Sequence, residues 1–123
     1  MVLHEGAVGE TAAPGAAGCG AVVTFEGVVR PVEGGRAIAA LVYEAYEPMT
    51  SRELEGLARR VAGEHGLAAM HVHHSVGRVA AGEVSFRLVV VSEHRAAGLT
   101  ATGEFIAAMK RDVPLWKVAE YGE

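Results

Sequence analysis

Cysteine is nearly absent from this sequence, and long apolar runs are missing altogether. Cys19 is the single cysteine among 123 residues, which excludes an internal disulfide and is typical of a protein of the reducing cytoplasm. No stretch reaches the roughly 18 to 20 apolar residues that a membrane-spanning helix needs. Residues 1–20 lack the basic start and apolar block of a signal peptide. We therefore expect a cytoplasmic protein with no membrane partner.

Basic residues are also in the minority. Eleven Lys and Arg stand against fifteen Asp and Glu, for a formal net charge of −4. This balance argues against a nucleic-acid partner, because proteins that bind nucleic acids usually present a net basic face. The sequence also has no phosphate-binding Gly-rich motif and no nucleophile elbow. Half of the residues are hydrophobic, which excludes a largely disordered chain and suits one core.

The order of apolar residues predicts one α+β domain over residues 20–123, with a mostly antiparallel sheet and two main helices. Strand-like segments, β-branched or alternating in polarity, are 20–30, 37–46, 68–76, 79–83, 84–94 and 115–121. Helical spacing runs from Pro48 to Gly66 and recurs over 96–111. Residues 1–19 are rich in Gly and Ala and show no period, so we expect a flexible or loosely packed N-terminal arm.

Several local features are predicted within these elements. Thr50 and Glu53 have the spacing of a capping box at the start of the first helix, and Gly66 supplies a left-handed end. Gly27 is expected to form a bulge in the first strand, which we expect to pair with the second strand as a hairpin. The residues expected to be buried on the second helix are Leu99, Ile106 and either Phe105 or Met109.

Lysine occurs only twice, whereas arginine occurs nine times. Lys110 lies in the last turn of the second predicted helix and Lys117 on the last predicted strand, on either side of Pro114 and Trp116. A desolvated lysine can act as a nucleophile or carry a proton, which an arginine cannot readily do. The pair therefore suggests catalytic amines. The alternative is structural: Lys110 stabilises a helix C-terminus, and Lys117 covers Trp116 with its alkyl stem.

Two segments favour anion binding. His94 and Arg95 follow the longest predicted strand at the start of a helix, where free backbone N–H groups and a guanidinium can meet a phosphate. The alternative for these two residues is a surface ion pair. Arg30 ends the first predicted strand before a Gly-Gly loop and is a further candidate.

A metal site is not expected, although three histidines lie close together in the sequence. His71 and His73 share one face of a predicted strand, and His74 points to the other face. A zinc site needs a third or fourth ligand, and no neighbouring residue has the spacing to supply it. The sequence therefore predicts neither a metal nor another cofactor.

Five sequence segments form an ordered set along residues 20–118. They are GAVVTFEGVVR (20–30), YEAYEPM (43–49), His74 with Gly77, Gly82 and Glu83, SEHR (92–95), and Lys110 with VPLWK (113–117). Together they resemble the large, catalytic subunit of molybdopterin synthase. The resemblance implies the hammerhead-like α+β fold of that subunit.

Sulfur transfer is the function that the resemblance implies. In that family a small ubiquitin-like subunit carries a thiocarboxylate on its C-terminal Gly-Gly tail and inserts the tail into the large subunit. The substrate is a small pterin phosphate, cyclic pyranopterin monophosphate, and two transfers build the dithiolene of molybdopterin. Two large subunits form a central homodimer within a heterotetramer, with one small subunit at each end.

The resemblance also implies a role for each candidate residue. Lys110 would be the main catalytic amine, as a general acid or base or by polarising the acyl carbon, and Lys117 would be a second cation on the substrate. Pro114 and Trp116 would fix the loop between the amines. The residues that would hold or border the substrate are Phe25, Arg30, His94 and Arg95. The histidine and the second arginine of this set would reach in from the partner subunit.

Departures from the family pattern leave a second function open. Ser75 stands where the family usually has arginine, and Val118 and Ala119 stand where a basic residue commonly follows the second lysine. The alternative function is a non-catalytic scaffold of the same fold, which binds the pterin or the partner without turnover.

Overall fold

The computed structural model describes residues 1–12 and 15–122, and over these residues the chain forms seven strands and two helices. The strands are β1 (Val2–Glu5), β2 (Ala21–Val28), β3 (Val32–Glu33), β4 (Arg36–Ala45), β5 (Ala69–Ala80), β6 (Val84–Ser92) and β7 (Leu115–Tyr121). The helices are α1 (Met49–His65) and α2 (Arg95–Asp112). The predicted α+β class with two main helices is confirmed.

The sheet brings together strands that are distant in the sequence. Its main order is β2-β6-β5-β4-β3, with β1 added beside β5 and β7 beside β4. Within the described part of the chain, β1 and β5 run parallel and the other pairings are antiparallel. The predicted mostly antiparallel sheet is therefore confirmed. Because β4 lies between β5 and β7, it connects the middle of the chain to the segment that carries Lys117.

The predicted hairpin between the first two long strands is wrong. β2 pairs with β6 along its whole length, and β4 pairs with β5 and β7 instead. The physical reason is that β5 and β7 occupy the two edges of β4, so no edge is left for β2. The Gly-Gly loop after β2 instead forms a short hairpin of β3 with the start of β4, through Gly34 and Gly35, which have φ of +57° and +77°. The bulge expected at Gly27 is confirmed as a register shift between Gly27 and Val28.

Strand β5 joins two segments that the sequence pattern separates. Residues 68–76 and 79–83 were expected to be distinct strands, whereas Ala69–Ala80 is continuous. Gly77 lies inside this strand with φ of +78°, a conformation that glycine adopts without steric cost. It therefore interrupts the alternation of side chains without ending the strand.

The N-terminal arm predicted for residues 1–19 is in part a strand. Val2–Glu5 forms β1 and pairs with β5, the Gly6 N–H donates to the Val76 carbonyl, and Val8 is buried. Four residues are too few to show a period, so the strand is recognisable only from its neighbour. Ala13 and Pro14 of the predicted arm lie outside the described residues.

Helix α1 begins differently from the predicted capping box. The N-cap residue Pro48 makes no side-chain cap hydrogen bond. Thr50 is fully buried; its hydroxyl accepts from the Tyr46 N–H at 2.8 Å and donates to the Pro114 carbonyl at 2.6 Å. The hydroxyl thus connects α1 to the segment before β7. The predicted left-handed end at Gly66 is confirmed, with φ of +61°.

Helix α2 packs on the sheet mainly through small residues, together with Phe105 and Met109. Its buried residues are Gly98, Ala101, Thr102, Phe105, Ala108 and Met109. The prediction for Leu99 is wrong, since that side chain is 58% exposed. A Cβ at Gly98 would lie 2.7 Å from the Ser92 hydroxyl, so the helix approaches the sheet along the glycine and turns Leu99 outward. Among the described residues, neither helix is long and apolar enough to cross a membrane.

Candidate active site

A cavity of about 630 Å³ opens where four strands meet the end of α2. Its walls come from β2, β4, β5, β6, the last turns of α2 and the start of β7. The predicted site residues that line it are Phe25, Arg30, Lys110 and Lys117. The fold therefore brings four of the candidate residues to one place, although Phe25 and Lys117 are 92 positions apart in the sequence.

Both lysines reach this cavity because the chain turns sharply between them. Lys110 lies in the last turn of α2, and Lys117 lies on β7 opposite Tyr43 of β4. Val113 ends the helix, with its N–H donating to the Met109 carbonyl. Both lysines are exposed, so the two ammonium groups belong to the mouth of the cavity rather than its interior.

Arg30 adds a third cation to the mouth. Its guanidinium pairs with the Glu33 carboxylate at 3.2 Å, and its side chain is 74% exposed. Such an exposed pair contributes little to stability. An incoming anion can therefore compete for the guanidinium at small energetic cost.

Pro114 and Trp116 lie beside the cavity wall that Leu115 and Lys117 form. The Pro114 carbonyl accepts the Thr50 hydroxyl hydrogen bond. Trp116 is 60% exposed, and its ring meets Tyr46 edge to face at 5.2 Å between centroids. These contacts are consistent with the positional role that the resemblance implies for both residues.

His94 and Arg95 are not in the cavity of their own chain. They border a separate hollow of about 430 Å³ together with Gly20, Glu93 and Ala96. His94 is the N-cap residue of α2, with extended backbone angles, and Lys110 lies near the other end of the same helix. A single chain therefore does not unite all the predicted cations.

The floor of the cavity contains polar residues that the sequence pattern does not single out as a site. The Tyr43 hydroxyl donates to the Ser85 hydroxyl at 3.1 Å, which donates to the Gly27 carbonyl at 3.4 Å. Burial raises the pKa of Tyr43; the Ser85 hydrogen bond opposes the rise and the Glu33 carboxylate adds to it. Tyr43 belongs to a segment that matches the family, which is a usable signal, whereas nothing in the sequence marks Ser85.

His74 also belongs to this floor. Its side chain is buried, and its ring lies 5.1 Å from the Tyr43 ring and 5.6 Å from the Phe86 ring, between centroids. Burial lowers the pKa of His74 to about 4, while the backbone hydrogen bond to Ser75 acts in the opposite direction. The histidine is therefore neutral at physiological pH. The cavity thus combines a cationic mouth with a neutral, partly aromatic floor.

The three neighbouring histidines do not meet as a metal-binding set. His73 bonds to His4 at 2.9 Å between ring nitrogens, and His74 turns into the cavity. Among the described residues, the group with ligand atoms close enough for a metal is Glu64, His65 and Glu104. His65 already pairs with Glu104 there at 2.6 Å, and exposed groups of this kind are common without a metal.

The fold and the cavity define a class of protein: an α+β domain that gathers Lys and Arg side chains around one pocket with aromatic residues in its wall. Comparisons with known proteins agree with the α+β fold and identify the family to which the chain belongs. A model of the MoaE protein family matches residues 4–112. The chain therefore belongs to the MoaE family.

Individual relatives support the same assignment. A molybdopterin synthase catalytic subunit of rice (Oryza sativa subsp. indica) is 38% identical over 104 residues, 85% of this chain and 54% of the rice protein. The chain thus spans about half the length of such curated relatives. The corresponding subunit of Culex quinquefasciatus is 35% identical over 85% of this chain and 68% of its own length.

A solved structure confirms the fold. Molybdopterin synthase from Staphylococcus aureus superposes with a TM-score of 0.81 at 28% identity, covering 87% of this chain and 78% of that chain. The expected hammerhead-like fold of the molybdopterin synthase large subunit is therefore confirmed. Recognition of the family from the five sequence segments is confirmed as well.

Proposed function

We propose that this protein is a sulfurtransferase, the large subunit of molybdopterin synthase. It transfers sulfur from the C-terminal thiocarboxylate of a small ubiquitin-like subunit to cyclic pyranopterin monophosphate and so forms the dithiolene of molybdopterin. The observation that carries the proposal is the convergence of Lys110, Lys117 and Arg30 on one cavity with an aromatic floor. The names of the curated relatives support the same activity.

Electrostatics explains why the reaction needs this arrangement. The substrate phosphate and the thiocarboxylate are both anions, so each repels the other until cations lie between them. Cations that the fold gathers around one cavity stabilise developing charge more effectively than mobile ions in water, above all once the bound substrate displaces the water around them. Lys110 and Lys117 lie on either side of the turn between α2 and β7, and holding two reactants between them lowers the entropy cost of their meeting.

The two amines have different tasks in the proposed reaction. Lys110, at the end of α2, acts on the thiocarboxylate tail as a general acid or base or by polarising the acyl carbon. Lys117, on β7 and opposite Tyr43, is the second cation on the substrate. Phe25 borders the pterin, and Arg30 attracts the phosphate at the mouth.

The proposed assembly is a heterotetramer with a central homodimer of this chain. His94 and Arg95 face a hollow apart from the lysine cavity, so we assign them to the active site of the partner large subunit. The proposal takes residues 20–123 as the catalytic domain. It places the enzyme in the cytoplasm, as expected for a chain with one cysteine.

Reconstitution with a thiocarboxylated small subunit and the pterin precursor tests the proposal. Wild-type protein should form the dithiolene product, and Lys110→Ala should lower the rate by about 100-fold or more, as expected for loss of a general acid or base. The matched control is Arg111→Ala. Arg111 is the next residue of the same helix, and it pairs with Asp112 instead of lining the cavity.

Two outcomes would contradict the proposal. Binding of the precursor without any product would support the non-catalytic scaffold, which the departures from the family pattern at Ser75, Val118 and Ala119 leave open. Equal rates for wild type and Lys110→Ala would instead leave sulfur transfer intact and remove the proposed role of the lysine.

A further inference from the structure

His74 is a buried ionisable group of the cavity to which the proposed reaction assigns no task. The residue is 5% exposed, and it is one of those that line the cavity. The Tyr43 ring meets it nearly at right angles, at 76°, and the Phe86 ring lies against it at 50°. The imidazole is therefore held in one orientation by aromatic neighbours.

One hydrogen bond determines which ring nitrogen carries the proton. Nδ1 lies 2.8 Å from the Ser75 carbonyl oxygen. A carbonyl oxygen can only accept a hydrogen bond, so Nδ1 donates and carries the proton. Since burial keeps the ring neutral at physiological pH, Nε2 has a free lone pair and is a hydrogen-bond acceptor.

From this geometry we infer that His74 is a specificity-determining residue, which accepts through Nε2 a hydrogen bond from an N–H group on the heterocyclic ring of the substrate. The inference deepens the proposed function and rests on it, because the substrate class is the pterin. A pterin ring carries N–H donors and a flat apolar face. The cavity floor offers an acceptor beside the Tyr43 and Phe86 rings, and thus matches both features.

The depths at which the charged and the aromatic side chains lie in the cavity support binding of the pterin ring next to His74. Lys110, Lys117 and Arg30 are exposed at the mouth, whereas His74 and Phe86 are buried. A molecule with a phosphate at one end and a heterocycle at the other therefore places its ring on the floor and its charge at the mouth. A protonated histidine would put a donor opposite the ring N–H, so the neutral tautomer is the form that fits.

Two substitutions test the roles of the two ring nitrogens of His74 separately. His74→Asn keeps a donor near the position of Nδ1, where it can still reach the Ser75 carbonyl, but has no acceptor near Nε2. His74→Gln is longer and places an amide oxygen near the position of Nε2. Isothermal titration calorimetry with cyclic pyranopterin monophosphate, on the full chain without a sulfur donor, measures binding without turnover.

We expect one variant to lose affinity for the pterin and the other to keep it. His74→Asn should bind the pterin about 3- to 10-fold more weakly than wild type, as for one lost hydrogen bond. His74→Gln should bind within about 2-fold of wild type. The inference would be overturned if His74→Asn bound the pterin as tightly as wild type, or if His74→Gln bound it as weakly as His74→Asn. In either case, turnover by the wild-type protein would still support the proposed function. A wild-type chain that binds no pterin would overturn both.

A measurement on the wild-type chain covers the case in which a variant does not fold. Nitrogen NMR of ¹⁵N-histidine-labelled protein reports the lone pair of Nε2 directly. Addition of the pterin should shift the Nε2 resonance of His74 toward that of a hydrogen-bonded acceptor and leave Nδ1 nearly unchanged. An Nε2 resonance that does not respond to saturating pterin refutes the inference.

Discussion

At the scale of single residues, the charged side chains of the cavity lie at its exposed mouth, whereas the neutral His74 is buried at its floor. The lysines and Arg30 are exposed, so their charge is solvated until a substrate arrives. His74 is buried and accordingly has a pKa lowered to about 4. Burial disfavours the charged form of a histidine because water no longer solvates the imidazolium. This neutrality should be visible in the stability of the protein.

Acid should destabilise the wild-type protein partly through His74. The unfolded chain takes up a proton on this residue near pH 6.5 and the folded chain only near pH 4, so the unfolded state binds more protons between these values. Stability contributed by the neutral ring is therefore complete above pH 6.5 and falls as the pH drops toward 4, by about 3 kcal/mol in total. Urea unfolding at pH 7.5 and 4.5 measures this loss.

The variant His74→Gln is the control, because glutamine does not titrate. Its free energy of unfolding should fall less steeply between pH 7.5 and 4.5 than that of wild type, by about 2 to 3 kcal/mol. The other histidines remain in both proteins and cancel in the comparison. Parallel pH profiles for the two proteins would show that His74 is not buried in its neutral form.

At the scale of elements, one threonine links α1 to the turn between the two lysines. The Thr50 hydroxyl joins the Tyr46 N–H to the Pro114 carbonyl, although Thr50 and Pro114 are 64 positions apart in the sequence. Pro114 lies between the end of α2 and the start of β7. The position of this turn, and hence the separation of the two amines, depends on the first helix.

Replacing Thr50 by valine should both destabilise the fold and reduce activity. Valine has a similar shape but leaves a donor and an acceptor without their partner, at a cost of about 1 to 3 kcal/mol. Thr102→Val is a matched control, because Thr102 is also buried and its hydroxyl donates to a carbonyl of its own helix, that of Gly98. Urea unfolding and sulfur-transfer rates should show a smaller loss for Thr102→Val; equal losses would contradict the special role of Thr50.

The same elements show how far the sequence alone leads. Both helices, the bulge at Gly27 and the end at Gly66 follow from local patterns, which are determined by neighbouring residues. The pairing of β2 with β6 and the strand β1 depend on contacts between distant segments, and no local pattern encodes them. The two lysines could be predicted as candidate site residues because lysine is rare in the chain and because both lie in segments that resemble the family. The hydrogen bond of Tyr43 with Ser85 could not be predicted, since it forms only because β4, β5 and β6 lie side by side.

At the scale of the whole molecule, the candidate site residues of the described chain lie in two separate cavities. The larger contains the lysines, and the smaller contains His94 and Arg95. In a twofold-symmetric dimer each surface meets its counterpart, so residues of one copy can complete the cavity of the other. The proposed homodimer would thereby unite cations that the single chain keeps apart.

Mixing two inactive variants tests this arrangement. Lys110→Ala and Arg95→Ala chains, co-expressed, should form mixed dimers in which one of the two cavities is intact, giving about a quarter of the wild-type rate for random assembly. A mixture of Lys110→Ala and Lys117→Ala is the control, because both lysines line the same cavity of one chain and no intact cavity can form. Failure of the first mixture to exceed the second would contradict a shared active site.

The layering of the cavity, with exposed cations above a buried neutral floor, also has a consequence for selection among the small molecules of the cell. Inorganic phosphate and sugar phosphates satisfy the lysines but leave the aromatic rings uncovered, and an uncharged pterin covers the rings but leaves the lysines without a counterion. Each such competitor gains only part of the binding free energy. In the proposed binding mode the cavity therefore selects a ligand by the distance between its ring and its phosphate. Both groups are bound at once only when this distance matches the depth of the cavity.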